Sequence, residues 1–106
     1  MIASLKIRDH GLLELKAGKG NKPRRKDQVQ VLYEAQLVDG TVFDSGTAEW
    51  KCGGVIRGLS EGLQLMKPGG KAKLTIPADL GYGDTREGEV PAHATLTFVV
   101  ELVAIM

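Results

Sequence analysis

The sequence predicts an α+β domain, a twisted antiparallel sheet wrapped around one short helix. Val29, Val31, Tyr33, Ala35 and Leu37 fall on alternate positions, as do Ala72, Leu74 and Ile76, and then Ala94, Leu96, Phe98, Val100 and Leu102. A period of two marks strands with one buried face. Only Val55 to Met66 changes period: Ile56, Leu59, Leu63 and Met66 recur at three- and four-residue steps, the stripe of a single helix. Fourteen glycines in 106 residues are too many for a helical bundle and demand many turns. Helices do not alternate with strands as a parallel βαβ arrangement requires, so the helix is expected to cover one face of the sheet.

Taken in order, Met1 to His10 has no firm pattern. It reads as a strand or a frayed N-terminal arm with His10 solvated, which leaves residues 11–106 as the domain proper. Gly11 to Lys16 is a short strand stopped at Ala17-Gly18-Lys19-Gly20, and Lys22 to Lys26 is a basic loop. The strand from Val29 puts Gln30, Glu34 and Gln36 on its other face, with Leu32 as the exception. Asp39-Gly40 ends it, a hairpin signal that favours a type I′ turn because both central residues there need positive φ. Thr41-Val42-Phe43 returns along the hairpin. The Val55–Met66 stripe makes a helix of about three turns, stopped by Lys67-Pro68-Gly69-Gly70. Pro77 to Pro91 is a long glycine-rich loop. Trp50 is expected to point into the core and Cys52 to be a small buried or half-buried residue.

Composition excludes several classes. A chain of this length buries one core without disulfides or metals. Fourteen Lys and Arg against thirteen Asp and Glu leave +1, so no global field draws the chain to nucleic acid or a membrane. The Lys22–Lys26 run reads as a solvated loop. Five aromatics, mostly inward, leave little for bases to stack on. A lone cysteine rules out an intramolecular disulfide, and two isolated histidines give no metal-ligand spacing. Gly18-Lys19-Gly20-Asn21-Lys22 lacks the phosphate-loop pattern. No run approaches the roughly 20 apolar residues of a membrane span, and Lys6, Arg8, Asp9 and His10 interrupt any leader. One cysteine suits either cytosol or periplasm: an excised bacterial domain implies the cell envelope, a naturally short protein the cytoplasm.

The motifs are more specific. Val42-Phe43-Asp44-Ser45-Gly46, Val55-Ile56-Arg57-Gly58, Met66-Lys67-Pro68-Gly69, Ala78-Asp79-Leu80-Gly81-Tyr82-Gly83, Pro91-Ala92-His93-Ala94-Thr95-Leu96 and Phe98-Val99-Val100-Glu101-Leu102 occur in this order. Together they resemble the FKBP-type immunophilins, closest to the C-terminal domain of bacterial macrophage-infectivity-potentiator-like members, over about Gly11 to Ile105. The resemblance implies the FKBP half-barrel and peptidyl-prolyl cis-trans isomerase activity without a cofactor. It implies a pocket of Tyr33, Phe43, Asp44, Val55, Ile56, Leu59, Tyr82, Val90 and Phe98. Tyr33, Phe43 and Phe98 correspond to apolar walls, the Ile56 backbone and the Tyr82 phenol to groups holding ligand carbonyls, and Asp44 to the carboxylate beside the imide. The implied partners are proline-containing polypeptides and macrolides of the rapamycin kind; with charge and hydropathy giving no nucleic acid and no membrane span, and the dimerising N-terminal helix of such relatives missing here, this fragment is expected to be a monomer.

Read without the resemblance, the same residues have plainer roles. Tyr33, Phe43 and Phe98 are core aromatics by periodicity, Asp44 is a turn or cap residue, Tyr82 is a loop aromatic, and His93 is structural. Three positions depart from the family pattern. Leu59 stands where most active relatives carry a tryptophan floor, Ala48 marks a wall that is often aromatic, and Glu89 replaces an apolar loop residue. They imply a wider, more polar rim and slower turnover. The alternative function is an FKBP-fold chaperone or peptide-binding module with weak or no isomerase activity. A small basic β-barrel that binds RNA or DNA rests on residues 22–26 alone.

Overall fold

The structure, a computed structural model, describes residues 4–7 and 10–106, with side-chain surroundings from Gly11 onward. The solvation expected of His10, and the rest of the expected arm apart from Ser4–Ile7, lie outside the described residues. The strands are β1 (Ser4–Ile7), β2 (His10–Lys16), β3 (Gln28–Gln36), β4 (Val42–Lys51), β5 (Lys71–Ile76) and β6 (Leu96–Ile105). They form one sheet in the order β1-β2-β5-β6-β3-β4, antiparallel at every pairing. The alternation read in the sequence is the burial pattern: Val29, Val31 and Ala35, then Ala72, Leu74 and Ile76, then Leu96, Phe98, Val100 and Leu102 are buried. Leu32, on the opposite parity, is exposed.

The hairpin between β3 and β4 forms where Asp39-Gly40 places it, but its turn is not type I′. Gly40 has φ +89, whereas Asp39 keeps negative φ. The Gly40 N–H donates to Leu37 O and the Leu37 N–H to Thr41 O, both at 2.9 Å. These bonds close a three-residue loop, Val38-Asp39-Gly40, that needs only one left-handed residue. The Asp39 carboxylate accepts the Thr41 N–H at 2.9 Å, and that bond holds its pKa below the ordinary carboxylate value.

The helix is shorter than its apolar stripe. α1 spans Arg57–Leu63 rather than Val55 to Met66. Ile56 is the extended N-cap residue (φ −54, ψ 149) and no side chain caps the end. Beyond Leu63 the backbone tightens to three-residue steps, Leu65 N–H to Gly62 O and Met66 N–H to Leu63 O, which still turn Met66 inward. β6 likewise starts at Leu96, not Ala94, because His93 has φ +61 and the chain is still turning there.

Two glycines let α1 lie close on the sheet. A Cβ on Gly58 would come 2.6 Å from Ile76 Cγ2, and one on Gly62 would come 2.6 Å from Leu74 Cδ1. They are four residues apart and so share one helix face, and that face touches two fully buried side chains of β5. Leu59 and Leu63, both buried, fill the flanks of the contact. The turn after the helix is tied to β6 by Gly69 N–H to Leu102 O (2.7 Å) and Leu102 N–H to Gly70 O (2.9 Å).

Gly62→Ala is expected to lower stability in chemical denaturation by about 1–3 kcal/mol through overpacking, although alanine favours an isolated helix by about 1 kcal/mol. Stability at or above the parent's would mean that α1 can lift from β5 without loss. Cys52 has no exposed surface. Burial, and secondarily the Asp27 carboxylate, raises its thiol above the ordinary value. A thiol reagent is therefore expected to label Cys52 only at the rate of unfolding.

Candidate functional site

Sheet register carries one row of residues from edge to core. Asp44 lies opposite Ala35, Ala35 opposite Phe98, Phe98 opposite Leu74, and Leu74 opposite Leu12. Directly opposed residues share a face. Ala35, Phe98, Leu74 and Leu12 are buried, while Asp44, on the edge strand, is exposed. Asp44 is thus the polar end of an otherwise apolar row.

Regular alternation would turn Phe43 to the face opposite Asp44. The ladder breaks there instead: Ala35 pairs with Asp44 but the next residue, Gln36, pairs with Val42. Phe43 is left as the extra residue of a β-bulge, which re-aims side chains in this way. Phe43 is half-buried, packs on the core and meets Phe98 edge-to-face, with ring centroids 6.5 Å apart at 87°. Nothing in the sequence around Val42-Phe43-Asp44 announces the bulge, because it exists only relative to β3.

Tyr33 lies on the same face, two residues before Ala35, opposite Gly46 and Val100. Its ring packs on Trp50 at 4.8 Å, tilted 48°, so Trp50 points inward as expected and braces Tyr33. Burial first, and then the neighbouring Asp44 carboxylate, raises the Tyr33 phenol above its ordinary value.

The long loop is internally bonded. It opens with a 3-10 turn, Ala78–Leu80, anchored by the buried Leu80. The Gly83 N–H donates to Ala78 O at 2.8 Å, and the His93 N–H donates to Gly83 O at 2.8 Å. His93 is exposed and left-handed, which makes it a structural clamp on the backbone beside Tyr82. Glu87 and Val90 exchange both N–H···O bonds (2.9 and 2.7 Å) around Gly88 (φ +53). That turn buries Val90 and leaves Glu89 exposed. The Tyr82 phenol is raised by burial first, then by Glu87, then by Asp44. The Tyr82 phenol on the loop thus feels the charge of Asp44 on β4, 38 residues away in the chain.

Val55 and Ile56 are half-buried against the core and lead into α1, whose Leu59 lies beneath at 2% exposure. Of the residues expected to form a pocket, Leu59, Val90 and Phe98 are buried, Tyr33, Phe43, Val55, Ile56 and Tyr82 are half-buried against the core, and Asp44 is exposed. A separate hollow of about 330 Å³, flanked by Lys16, Lys22, Lys67 and Lys71, shares no residue with this set. Among the described residues no group of three His, Cys, Asp or Glu could hold a metal ion, and no helix is long and apolar enough to cross a membrane.

Residues 19–103 match the family model of the FKBP-type peptidyl-prolyl cis-trans isomerases. The chain belongs to that family. It is 46% identical over 95 residues to the FKBP-type 22 kDa peptidyl-prolyl cis-trans isomerase of Escherichia coli, covering 84% of this chain and 46% of that protein. It is 47% identical over 91 residues to FK506-binding protein 2 of Debaryomyces hansenii, covering 79% of this chain and 67% of that one. The 1.6 Å crystal structure of a peptidyl-prolyl cis-trans isomerase from Pseudomonas syringae superposes with a TM-score of 0.91 at 33% identity, over 96% of this chain and 80% of that one. The chain spans about half the length of the E. coli relative. The α+β sheet wrapped on one short helix is therefore the FKBP fold, as its motifs imply.

The raised phenols have a consequence for stability. An unfolded tyrosine releases its proton near pH ~10, while folded Tyr33 and Tyr82 hold theirs to higher pH. The folded state then binds more protons, so this contribution is complete below pH ~10 and lost as pH rises through the raised native values. Tyrosinate absorbance is expected to appear later in the native chain than in denaturant. Coincident curves would show that neither phenol is shielded.

Proposed function

We propose that residues 11–106 form an isomerase unit that accelerates X-Pro rotation in protein chains by stabilising the twisted imide in an apolar site. One observation carries the reading: the edge-to-face Phe43–Phe98 pair stands on the sheet row that ends at the exposed Asp44. The family's activity supports it.

The chemistry needs no nucleophile. Rotation about the imide costs roughly 18–20 kcal/mol because it breaks amide resonance. The planar imide is the more charge-separated form, so a dry apolar surface disfavours it relative to the twisted one. Every ~1.4 kcal/mol of that preference is about tenfold in rate. In this reading Phe43, Phe98 and Tyr33 enclose the prolyl ring above Val90 and Leu59, with Val55 at the side. Tyr82, kept protonated by its surroundings, donates to one carbonyl. Ile56 supplies a second donor: its N–H is among the first four of a helix end, which have no acceptor within the helix, and no side chain caps that end. Asp44 orients the amide dipole as it turns. Macrolides of the rapamycin kind would fill the same site, a reading supported by a relative named for binding FK506. The unit acts as a monomer and takes no nucleic acid.

Leu59 favours a second reading, a chaperone or peptide-binding module of the same fold. A leucine floor is dry but offers no flat ring beneath the proline, so segments could be held without efficient turnover.

Catalysed isomerisation of a proline peptide, abolished by a rapamycin-like macrolide, is the expected result. Binding with no rate enhancement would instead establish the chaperone reading. Tyr82→Phe should weaken macrolide binding by about 0.5–1.5 kcal/mol, one hydrogen bond. Phe98→Ala should cost about 3–5 kcal/mol of stability in denaturant titration, and a smaller loss would mean that Phe98 is wall only and not core.

A further inference from the structure

The antiparallel register gathers four strand ends at one pole of the sheet. Gln36, at the end of β3, pairs with Val42 at the start of β4 and with Thr97 near the start of β6, and Ile76, at the end of β5, pairs with Leu96. Residues 38–46, the β3–β4 turn with the first half of β4, and residues 77–94, in the β5–β6 loop, contain Phe43, Asp44 and Tyr82. They carry Asp39, Asp44, Asp79, Asp84, Glu87 and Glu89, all exposed, against one cation, Arg86. That is a net −5 on a chain of +1.

The cations gather at the other pole. Lys16 and Lys51 end β2 and β4, and Lys71 begins β5. The Lys22–Lys26 loop is held beside them by Cys52 N–H to Asp27 O (2.9 Å) and Gly53 N–H to Arg25 O (2.8 Å). Arg57, the cation that follows Ile56, is already engaged by Glu61 at 3.2 Å. The charge is therefore separated along the strands, and the candidate site opens at the negative end.

We propose that the acidic rim selects its substrates: the isomerase acts preferentially on prolines flanked by lysine or arginine in unfolded chains. This rests on the isomerase reading above and names its substrate class. The rim carboxylates stand outside the apolar floor, so they act on encounter and binding rather than on rotation. Rim charges of this kind change association rates and their salt dependence. Glu87 and Asp44 both act on the Tyr82 phenol, and all three residues lie in these two segments.

The test uses the whole chain and three peptides in which one proline is flanked on both sides by lysines, alanines or glutamates, with turnover read by exchange NMR. At low salt the lysine peptide is expected to exceed the glutamate peptide in kcat/KM by about tenfold, the lower end of steering effects, with the difference in KM. Near 1 M salt, where the Debye length is about 3 Å, the ratio should fall towards unity. The D79N/D84N/E89Q variant should flatten the low-salt ratio and turn over the alanine peptide like the parent. Equal kcat/KM for lysine and glutamate peptides at low salt, with the alanine peptide turned over, overturns the proposal alone. So does a preference that salt leaves untouched. No turnover of any peptide overturns the isomerase reading and this inference with it.

Discussion

The placement of Ala35 between Asp44 and Phe98 is the constraint on which the rest of the site depends. A slip of one residue between β3 and its neighbours would turn Val29, Val31, Tyr33 and Ala35 outward together, since alternate residues face opposite sides. The cost of exposing Val29, Val31 and Ala35, now buried, holds the register. Ala35 is also small. A larger residue there would stand between the Asp44 carboxylate and the Phe98 ring, which it now joins across the sheet.

The bulge at Phe43 works against this fixed register. It lets two consecutive residues of opposite chemistry, a phenyl ring and a carboxylate, serve one face. An uninterrupted strand could place one of them there but not both. Placed at an edge strand, the irregularity leaves the β3–β6 pairing from Val31 to Gln36 unbroken, so Phe43 is re-aimed without disturbing the core. The Gly58–Gly62 face has a complementary effect: it draws α1, with its buried Leu59, down on Leu74 and Ile76.

The long loop joins these parts because its backbone groups are paired. Gly83 bonds to Ala78 and His93, and Glu87 to Val90, so Tyr82 and Val90 are carried on a braced segment rather than a free one. The same segment bears most of the acidic rim. Site geometry and surface charge therefore have a common origin in where the antiparallel strands end.

The alternation of β3, β5 and β6, the single helical stripe and the Asp39-Gly40 hairpin were legible in the residues, because side-chain period follows directly from backbone geometry. Ordered motifs identified the family, and with it the residues to be sought at the site. The three-residue turn in place of type I′, the helix ending at Leu63 and the start of β6 at Leu96 were not legible. Each depends on which backbone bonds win locally. The bulge, the close approach of Gly62 to Leu74 and the edge-to-face meeting of Phe43 with Phe98 were decided by tertiary structure alone. They are relations between segments distant in the chain, and a one-dimensional pattern records what each residue prefers but not which partner it meets.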